Sequence, residues 1–192
     1  MTKEMKPFAG KIKMVSSSPR GTAEGVVLDN GTFIKIPPHS ILDAEKVKAG
    51  ANISGHGELI AKIPNEVFHR VIAKIGNTVV SNDQGTPKET DALKKSHKLE
   101  LESKAEQPAE FEDVTISGKV FSLAVKPNGE VDRVMLEDGT AVHLPEELLL
   151  DYKKLKTGDA LKIEGKGTTF KNLKFLKAKS ISPIKIAALP KA

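Results

Sequence analysis

The feature that most constrains the fold of this chain is an internal repeat. When the sequence is shifted by 108 residues, the segment 10–57 aligns without a gap with the segment 118–165. About fifteen of the 48 aligned positions are identical, and most of the others exchange residues of similar character. The shared residues are mainly glycines, prolines and alternating apolar positions, which set backbone geometry and core packing. The repeat therefore predicts two copies of one small domain.

The second copy shows most clearly how one unit folds. Apolar and polar residues alternate in several short runs, which is typical of half-buried strands, and turn residues such as Asp138 and Gly139 separate these runs. The predicted elements are strands at 118–125, 131–137, 140–144, 160–164 and 173–181, with a short helix at 146–154. Three strands, a short helix and two strands form the order of the OB-fold, a partly open Greek-key barrel. A five- or six-stranded SH3-like barrel is the structural alternative.

We therefore predict a mainly β protein of two tandem five-stranded OB-like small barrels, each with one short helix, joined by a charged linker. The predicted boundaries are 8–80 for the first copy, 81–113 for an acidic, partly helical or disordered linker, 114–183 for the second copy, and 184–192 for a flexible tail. In the first copy, the residues from Glu58 to Arg70 are expected to form a longer last loop, which carries Pro64.

Two motifs carry a resemblance to known families. They read Leu136-Glu-Asp-Gly-Thr-Ala-Val-His-Leu-Pro145 and Lys156-Thr-Gly-Asp-Ala-Leu-Lys-Ile-Glu-Gly165. Together they resemble uncharacterised bacterial OB-like domain families, here present as a tandem repeat. The first copy has the same outline, with Asn30 in place of the Asp and Ala51 after Gly50. The resemblance implies the fold of both halves and transfers no functional residues.

Several classes of chemistry lack their sequence signatures. The chain has no cysteine, so a disulfide, a thiolate metal ligand and a cysteine nucleophile are all impossible. The five histidines show no metal-binding spacing, and no phosphate loop or nucleophile elbow occurs. We predict no catalytic residue, no metal and no cofactor, and an enzyme is the third-ranked function.

The sequence also bears on location. Its first residues lack the apolar segment of a secretory signal, and no apolar run approaches the roughly 18–20 residues that span a bilayer. We expect a cytoplasmic protein without a membrane partner.

Charge is distributed unevenly along the chain. Residues 1–80 carry 11 Lys and Arg against 7 Asp and Glu, a net +4, and residues 114–192 carry 14 against 9, a net +5. Residues 81–113 between them carry 5 against 9, a net −4. Two basic domains joined by an acidic connector are thus predicted.

The basic residues of the second copy are the candidate binding site. From 162 to 192 the chain has eight lysines against one acid, Glu164. Such lysines would neutralise phosphates and release counterions. The predicted nucleic-acid-binding residues are Lys126, Arg133, Lys162, Lys166, Phe170, Lys171, Lys174 and Lys177. Phe170 is either a base-stacking platform or a hydrophobic loop anchor. The structural alternative for the lysines is a solvated surface that protects sheet edges from aggregation.

The leading functional hypothesis is a non-enzymatic binding module that contacts DNA or RNA through basic barrel surfaces. With no Trp, one Tyr and seven Phe, the chain has few aromatic residues for a general single-strand binder, and backbone contacts to duplex or structured RNA need fewer. A flexible linker would allow both barrels to bind at once. The alternative is a protein–protein interaction or adaptor role without nucleic acid, which predicts an exposed apolar patch.

Overall fold

The alternating segments of the sequence form long antiparallel strands in both halves of the chain. The structure is a computed structural model that describes residues 5–18, 23–36, 47–62, 64–81, 110–126, 128–148, 155–170 and 173–184. Most of the predicted linker and nearly all of the predicted tail lie outside the described residues, so the predicted domain boundaries stay a prediction.

The first half is a barrel closed by a parallel pair of strands. Its strands are β1 (Met5–Ser17), β2 (Ala23–Leu28), β3 (Phe33–Lys35), β4 (Asn52–Ala61), β5 (Val67–Ile75) and β6 (Thr78–Ser81). The antiparallel order is β3-β2-β1-β4-β5-β6. The barrel closes where β3 runs parallel to β5, with Phe33 opposite Val67. The sixth strand, β6, extends the sheet beyond β5 as a hairpin.

The second half repeats this topology with five strands. They are β7 (Glu112–Val125), β8 (Val131–Leu136), β9 (Ala141–His143), β10 (Ala160–Phe170) and β11 (Leu173–Pro183). The closed order is β7-β8-β9-β11-β10, and β9 and β11 are parallel where Ala141 faces Phe175. In the OB-fold, the first three strands form a meander, the fifth strand pairs with the third, and the fourth strand pairs with the first to close the barrel. The predicted fold of two five-stranded OB-like barrels is therefore confirmed.

The predicted helices are seen only in part. In the second barrel, Glu146–Leu148 form a single 3₁₀ turn directly after Pro145, where the chain was expected to begin a helix that continues to Lys154. Residues 149–154, and the equivalent segment 37–46 of the first barrel, lie outside the described residues.

The repeat continues in the structure well past Gly57. Ile53 pairs with Ile75 on β4 and β5, and the residues 108 positions later, Leu161 and Pro183, pair on β10 and β11. None of the 18 positions from 58 to 75 is identical to its counterpart from 166 to 183. The expected long loop from Glu58 to Arg70 is wrong in extent, because most of that segment belongs to β4 and β5.

Each barrel has an apolar core, and a third apolar cluster joins the two barrels. On β2, Val26 and Leu28 lie in the core of the first barrel, so Val27 between them points outward, yet it is fully buried. Met135 on β8 is its counterpart and is buried in the same way. The third cluster consists of Met14, Val27, Phe33, Val67, Ala124, Val125, Met135 and Ala141. The barrels therefore pack against each other through equivalent outer faces, as in an isologous dimer.

Polar contacts fix the register of this interface. Asn65, in the loop between β4 and β5, donates from Nδ2 to the Leu123 carbonyl at 3.1 Å and accepts from the Leu123 amide at 2.9 Å. The Ser122 hydroxyl donates to the Gly31 carbonyl at 2.8 Å. Leu173, the counterpart of Asn65, packs against the core of the first barrel. Asn65 of the first barrel and Leu173 of the second, at equivalent positions, thus each contact the other barrel.

Candidate functional site

The outer surface of the hairpin β10–β11 carries a group of exposed lysines, here called the lysine face. Its members are Lys162, Lys166, Lys177 and Lys179, with Lys174 at the rim, because Lys174 lies on the side of β11 that carries the core residues Leu176 and Ala178. On β10, Ile163 and Gly165 are buried, so the alternation of the strand turns the lysines beside them toward solvent. Lys166 and Lys177 lie directly opposite each other on the two strands. This arrangement places two ammonium groups side by side at the centre of the face.

Acidic side chains engage three members of the lysine face. The Nζ atoms of Lys162, Lys174 and Lys179 lie 3.1, 3.0 and 2.6 Å from carboxylate oxygens of Glu164, Asp138 and Asp113, respectively. Among the described residues, Lys166 and Lys177 have no acidic side chain within ion-pair distance. They are therefore the two cations of the face most available to an external anion.

The pKa values of the acids around the face follow from these contacts. The hydrogen bond and charge of Lys162 lower the pKa of Glu164. Burial pushes the pKa of Asp138 upward, but hydrogen bonds from Thr140 and Lys174 outweigh it and leave this pKa lowered. All of these carboxyl groups are held in the ionised form, so the ion pairs persist at neutral pH.

The aromatic residues near the face do not present an open ring at its centre. Phe175 is only 6% exposed and lies between His143, with ring centroids 6.5 Å apart, and Phe111, with centroids 6.4 Å apart. Phe111 is 41% exposed and stands at the start of β7. The side chain of Phe170 and the whole of Lys171 lie outside the described residues, so their predicted roles stay predictions.

Lys126 and Arg133, the other two predicted contacts, lie apart from the lysine face. Lys126 follows β7 and forms an ion pair with Glu130 at 3.7 Å. Arg133 on β8 points into the interface, where its guanidinium contacts Glu24 and donates from Nη1 to the Ser16 hydroxyl at 2.7 Å. Because its side chain is only 13% exposed, Arg133 holds the two barrels together in this structure rather than adding a cation to the face.

The inter-barrel interface is the site that the sequence reasoning missed. A cleft of about 390 Å³ remains between the barrels, lined by the charged residues Glu24, Lys35, Asp132 and Arg133 and by His69. The runs Val26-Val27-Leu28 and Val134-Met135-Leu136 are apolar at consecutive positions, which indicates strands buried on both faces. That pattern was the available sequence signal for the interface.

Two histidines next to the cleft are held neutral by their surroundings. Burial lowers the pKa of His69, and the charge of Lys35 lowers it further, against a hydrogen bond to the Val125 backbone and the charges of Asp132 and Glu58. Burial also lowers the pKa of His143, together with the charges of Arg133 and Lys177, against Asp132 and Glu24. Both imidazoles are therefore neutral at pH 7.

In the described part of the chain, no group of three His, Asp or Glu residues is close enough to hold a metal ion. The same residues contain no helix with the length and apolar character needed to cross a bilayer.

Comparisons with known proteins find similarity only among solved structures. No family model and no curated protein matches the chain. One similar structure is the wild-type single-stranded DNA-binding protein of Thermus aquaticus, 11% identical over 98% of this chain and 96% of that chain, with a TM-score of 0.31. A deletion mutant of the same protein is 12% identical over the full length of both chains, with a TM-score of 0.33.

Proposed function

We propose that the protein binds nucleic acid through the phosphate backbone, and that the lysine face of the second barrel is the contact surface. The observation that carries this proposal is the pair Lys166 and Lys177, adjacent, exposed and without an acidic partner among the described residues. Lys162, Lys174 and Lys179 extend the face along both strands. An array of ammonium groups on one surface is suited to a polyanion because each phosphate contact releases a condensed counterion.

Protection of a sheet edge does not account for these lysines. Edge strands commonly carry lysine because it opposes pairing with other chains. However, β10 lies between β7 and β11, and the segment of β11 around Lys177 pairs with both β10 and β9. The fold does not require lysine at these two positions either. In the first barrel, the counterparts of Lys166 and Lys177 are Glu58 and His69, and both are buried.

The usual ligand surface of an OB-fold is not available in either barrel. OB-folds bind oligonucleotides on the face of their second and third strands, with the loops beside it. Here Val27 and Phe33 cover that face in the first barrel and Met135 and Ala141 cover it in the second, all within the interface cluster. Binding in the docked form would therefore use the β10–β11 surface instead.

The alternative of a protein-binding adaptor has less support. It predicts a contiguous exposed apolar patch. The exposed large apolar side chains of the described residues are divided between the barrels, with Met5, Ile72 and Val79 on the first and Phe111 and Ile184 on the second. This distribution singles out no one docking surface.

The test is fluorescence anisotropy with labelled single-stranded DNA, duplex DNA and duplex RNA, titrated at several salt concentrations. Four or five phosphate contacts predict a plot of log K against log salt with a slope of about −4. We expect Lys166→Glu/Lys177→Glu to weaken binding more than about tenfold near 50 mM salt. Both side chains are exposed, so the fold should be retained.

The matched control is Lys11→Glu/Lys74→Glu, which makes the same charge change on exposed residues that line one open groove of the first barrel. It should change binding much less. Equal losses in the two variants would mean that net charge, and not the lysine face, governs binding. No binding of any probe to the parent protein at low salt would refute the proposal and direct the work to protein partners.

A further inference from the structure

The first residues of β7 bring carboxylates to the lysine face. Asp113 lies directly opposite Lys166 in the pairing of β7 with β10, and its Oδ1 accepts a hydrogen bond from Lys179 Nζ at 2.6 Å. This contact, together with the charges of Lys179 and Lys166, lowers the pKa of Asp113. Asp113 is therefore an anion at neutral pH, where nucleic-acid phosphates are also charged.

Two further acids stand beside Asp113. Glu110 and Glu112 line a groove of about 340 Å³ together with Lys174 and the Phe175 side chain. Asp113 thus meets Lys166 on β10 and Lys179 on β11, and Glu110 and Glu112 lie beside Lys174 at the rim of the face. These three acids are here called the acidic lead. They also form the end of the acidic segment 81–113, whose net charge is −4 from 5 basic and 9 acidic residues.

Within the acidic lead, Asp113 has no acidic counterpart in the first barrel, whereas Glu112 aligns with Glu4. The counterpart of Asp113 in the first barrel is Met5, which lies opposite the buried Glu58. The counterpart of Lys179 is Val71, which is also buried. Asp113 and Lys179 therefore occur together in the second copy and are both replaced by apolar residues in the first, although the pairing of the two strands is the same.

We propose that the acidic lead is a built-in competitor, which occupies the lysine face in the free protein and is displaced by nucleic-acid phosphates. This inference rests on the proposed function. A carboxylate and a phosphate oxygen compete for the same ammonium protons, so a ligand must first release Lys179 from Asp113. The pair is open to water, with side chains 58% and 71% exposed, and exposed pairs are weak. The competitor therefore lowers affinity without blocking the site.

Competition has a thermodynamic signature that a structural role would lack. A lysine that stays paired with its own carboxylate neutralises less phosphate charge, so binding releases fewer of the counterions condensed on the nucleic acid and depends less on salt. Removal of the acids should consequently raise the affinity and make the salt slope steeper at the same time. Damage to the fold would lower the affinity instead.

The experiment compares the parent protein with Glu110→Gln/Glu112→Gln/Asp113→Asn in the anisotropy assay with duplex DNA. We expect binding to tighten about threefold to tenfold at low salt and the slope to become more negative by about one. The control Asp29→Asn/Glu66→Gln/Glu147→Gln removes the same charge from exposed positions away from the face. Circular dichroism checks that both variants remain folded.

Each outcome separates the two proposals. An increase in affinity and slope confined to the acidic-lead variant supports competition. Unchanged binding of that variant, while the parent binds, overturns the competitor and leaves the proposed function standing. An equal increase in the control also overturns it, because net charge would then explain the gain. Failure of all three proteins to bind refutes the proposed function and the competitor together.

Discussion

The two barrels share a backbone but differ sharply between their first and second halves. The segment from β1 to β3 and its counterpart from β7 to β9 retain the identities of the repeat, such as Gly31 with Gly139 and Thr32 with Thr140. The final hairpins, β4–β5 and β10–β11, share their register as far as Leu59 and Gly167, but they share no identical residue from position 58 onward. The shared first half of each barrel carries the residues that hold the two barrels together, whereas the residues of the final hairpin are free to diverge.

The shared half includes the inter-barrel face and its turns. In both barrels an acceptor side chain, Asn30 or Asp138, receives the amide of the threonine two residues later at 3.0 Å. The glycine between them has φ of 87° in each copy, a left-handed conformation that suits glycine best. The two strands that enter these turns carry Val27 and Met135 at equivalent positions. Each of these side chains packs against the outer face of the other barrel.

The divergent half supplies different surfaces on one scaffold. In the first barrel, Glu58 is buried beside the exposed Arg70, with Arg70 Nε 3.7 Å from its carboxylate. Arg70 has a φ of 47°, which is uncommon outside glycine. At the same places the second barrel has Lys166 and Ala178, with Lys166 in solvent. The candidate binding surface therefore lies where the copies differ most.

The largest expected effect tests whether the shared faces hold the barrels together. Met135→Asp places a carboxylate in a fully buried apolar cluster, so we expect it to lower the free energy of unfolding by more than about 4 kcal/mol. Urea denaturation followed by circular dichroism measures the change. The matched control is Val79→Asp, at a position 60% exposed and opposite Lys74, which should cost less than about 0.5 kcal/mol. Similar costs for the two variants would show that Met135 is not buried by the first barrel.

A smaller effect tests the asymmetry within the interface. The counterpart of Arg133 is Gly25, so one barrel supplies the guanidinium and the other supplies Glu24 and Ser16 to bind it. We expect Arg133→Ala to lower the free energy of unfolding by about 2 kcal/mol, because it leaves a partly buried carboxylate and hydroxyl without their partner. A double-mutant cycle with Glu24→Ala should show a coupling above about 0.5 kcal/mol.

The ion pair of Lys126 and Glu130 is the control for the Arg133–Glu24 double-mutant cycle, because it lies within one barrel and is more open to solvent. Its side chains are 31% and 42% exposed, and its coupling should stay below about 0.5 kcal/mol. Equal couplings in the two pairs would remove the argument that Arg133 joins the barrels.

The sequence predicts the fold well because the OB pattern is set by local features. Glycine turns, prolines and period-two alternation fix the strands and their order without reference to distant contacts. The repeat ends in the sequence at Gly57, whereas the structure continues it to Ile75. Strand pairing depends on backbone hydrogen bonds and on the alternation of buried positions, so it survives the replacement of every side chain in that hairpin.

The candidate site was predictable only in part. The lysines of β10 and β11 follow from alternation, which turns Lys162 and Lys166 outward. Alternation also turns Arg133 outward from its own barrel. Only the position of the first barrel shows that this outward side chain lies in an interface and not in solvent. Asn65 shows the same limit, because nothing local marks a loop amide as the partner of Leu123, 58 residues away. Contacts between distant segments depend on tertiary geometry that short patterns do not encode.

The smallest expected effect concerns the pH dependence of the docked pair. The pKa values of His69 and His143 are lowered from 6.5 in the folded protein, so the unfolded chain binds more protons as the pH falls through 6.5. Stability is therefore expected to decrease with acidification until the lowered pKa values are passed, and solvent screening of the partly buried imidazoles keeps the slope well below the one-proton limit of about 1.4 kcal/mol per pH unit. Urea unfolding from pH 7.5 to 5 measures this slope.

Substitution of the histidines connects that slope to the interface. His69→Asn/His143→Gln removes the two titrating groups, so the stability profile between pH 7 and 5 should become flatter than that of the parent. The exposed His56→Gln is the control for loss of a histidine as such. The imidazoles face Lys35, Asp132, Glu58, Arg133, Lys177 and Glu24 across the two barrels. Protonation adds positive charge beside three of these residues, Lys35, Arg133 and Lys177. An unchanged slope in the double variant would mean that the two histidines do not cause the pH dependence of stability.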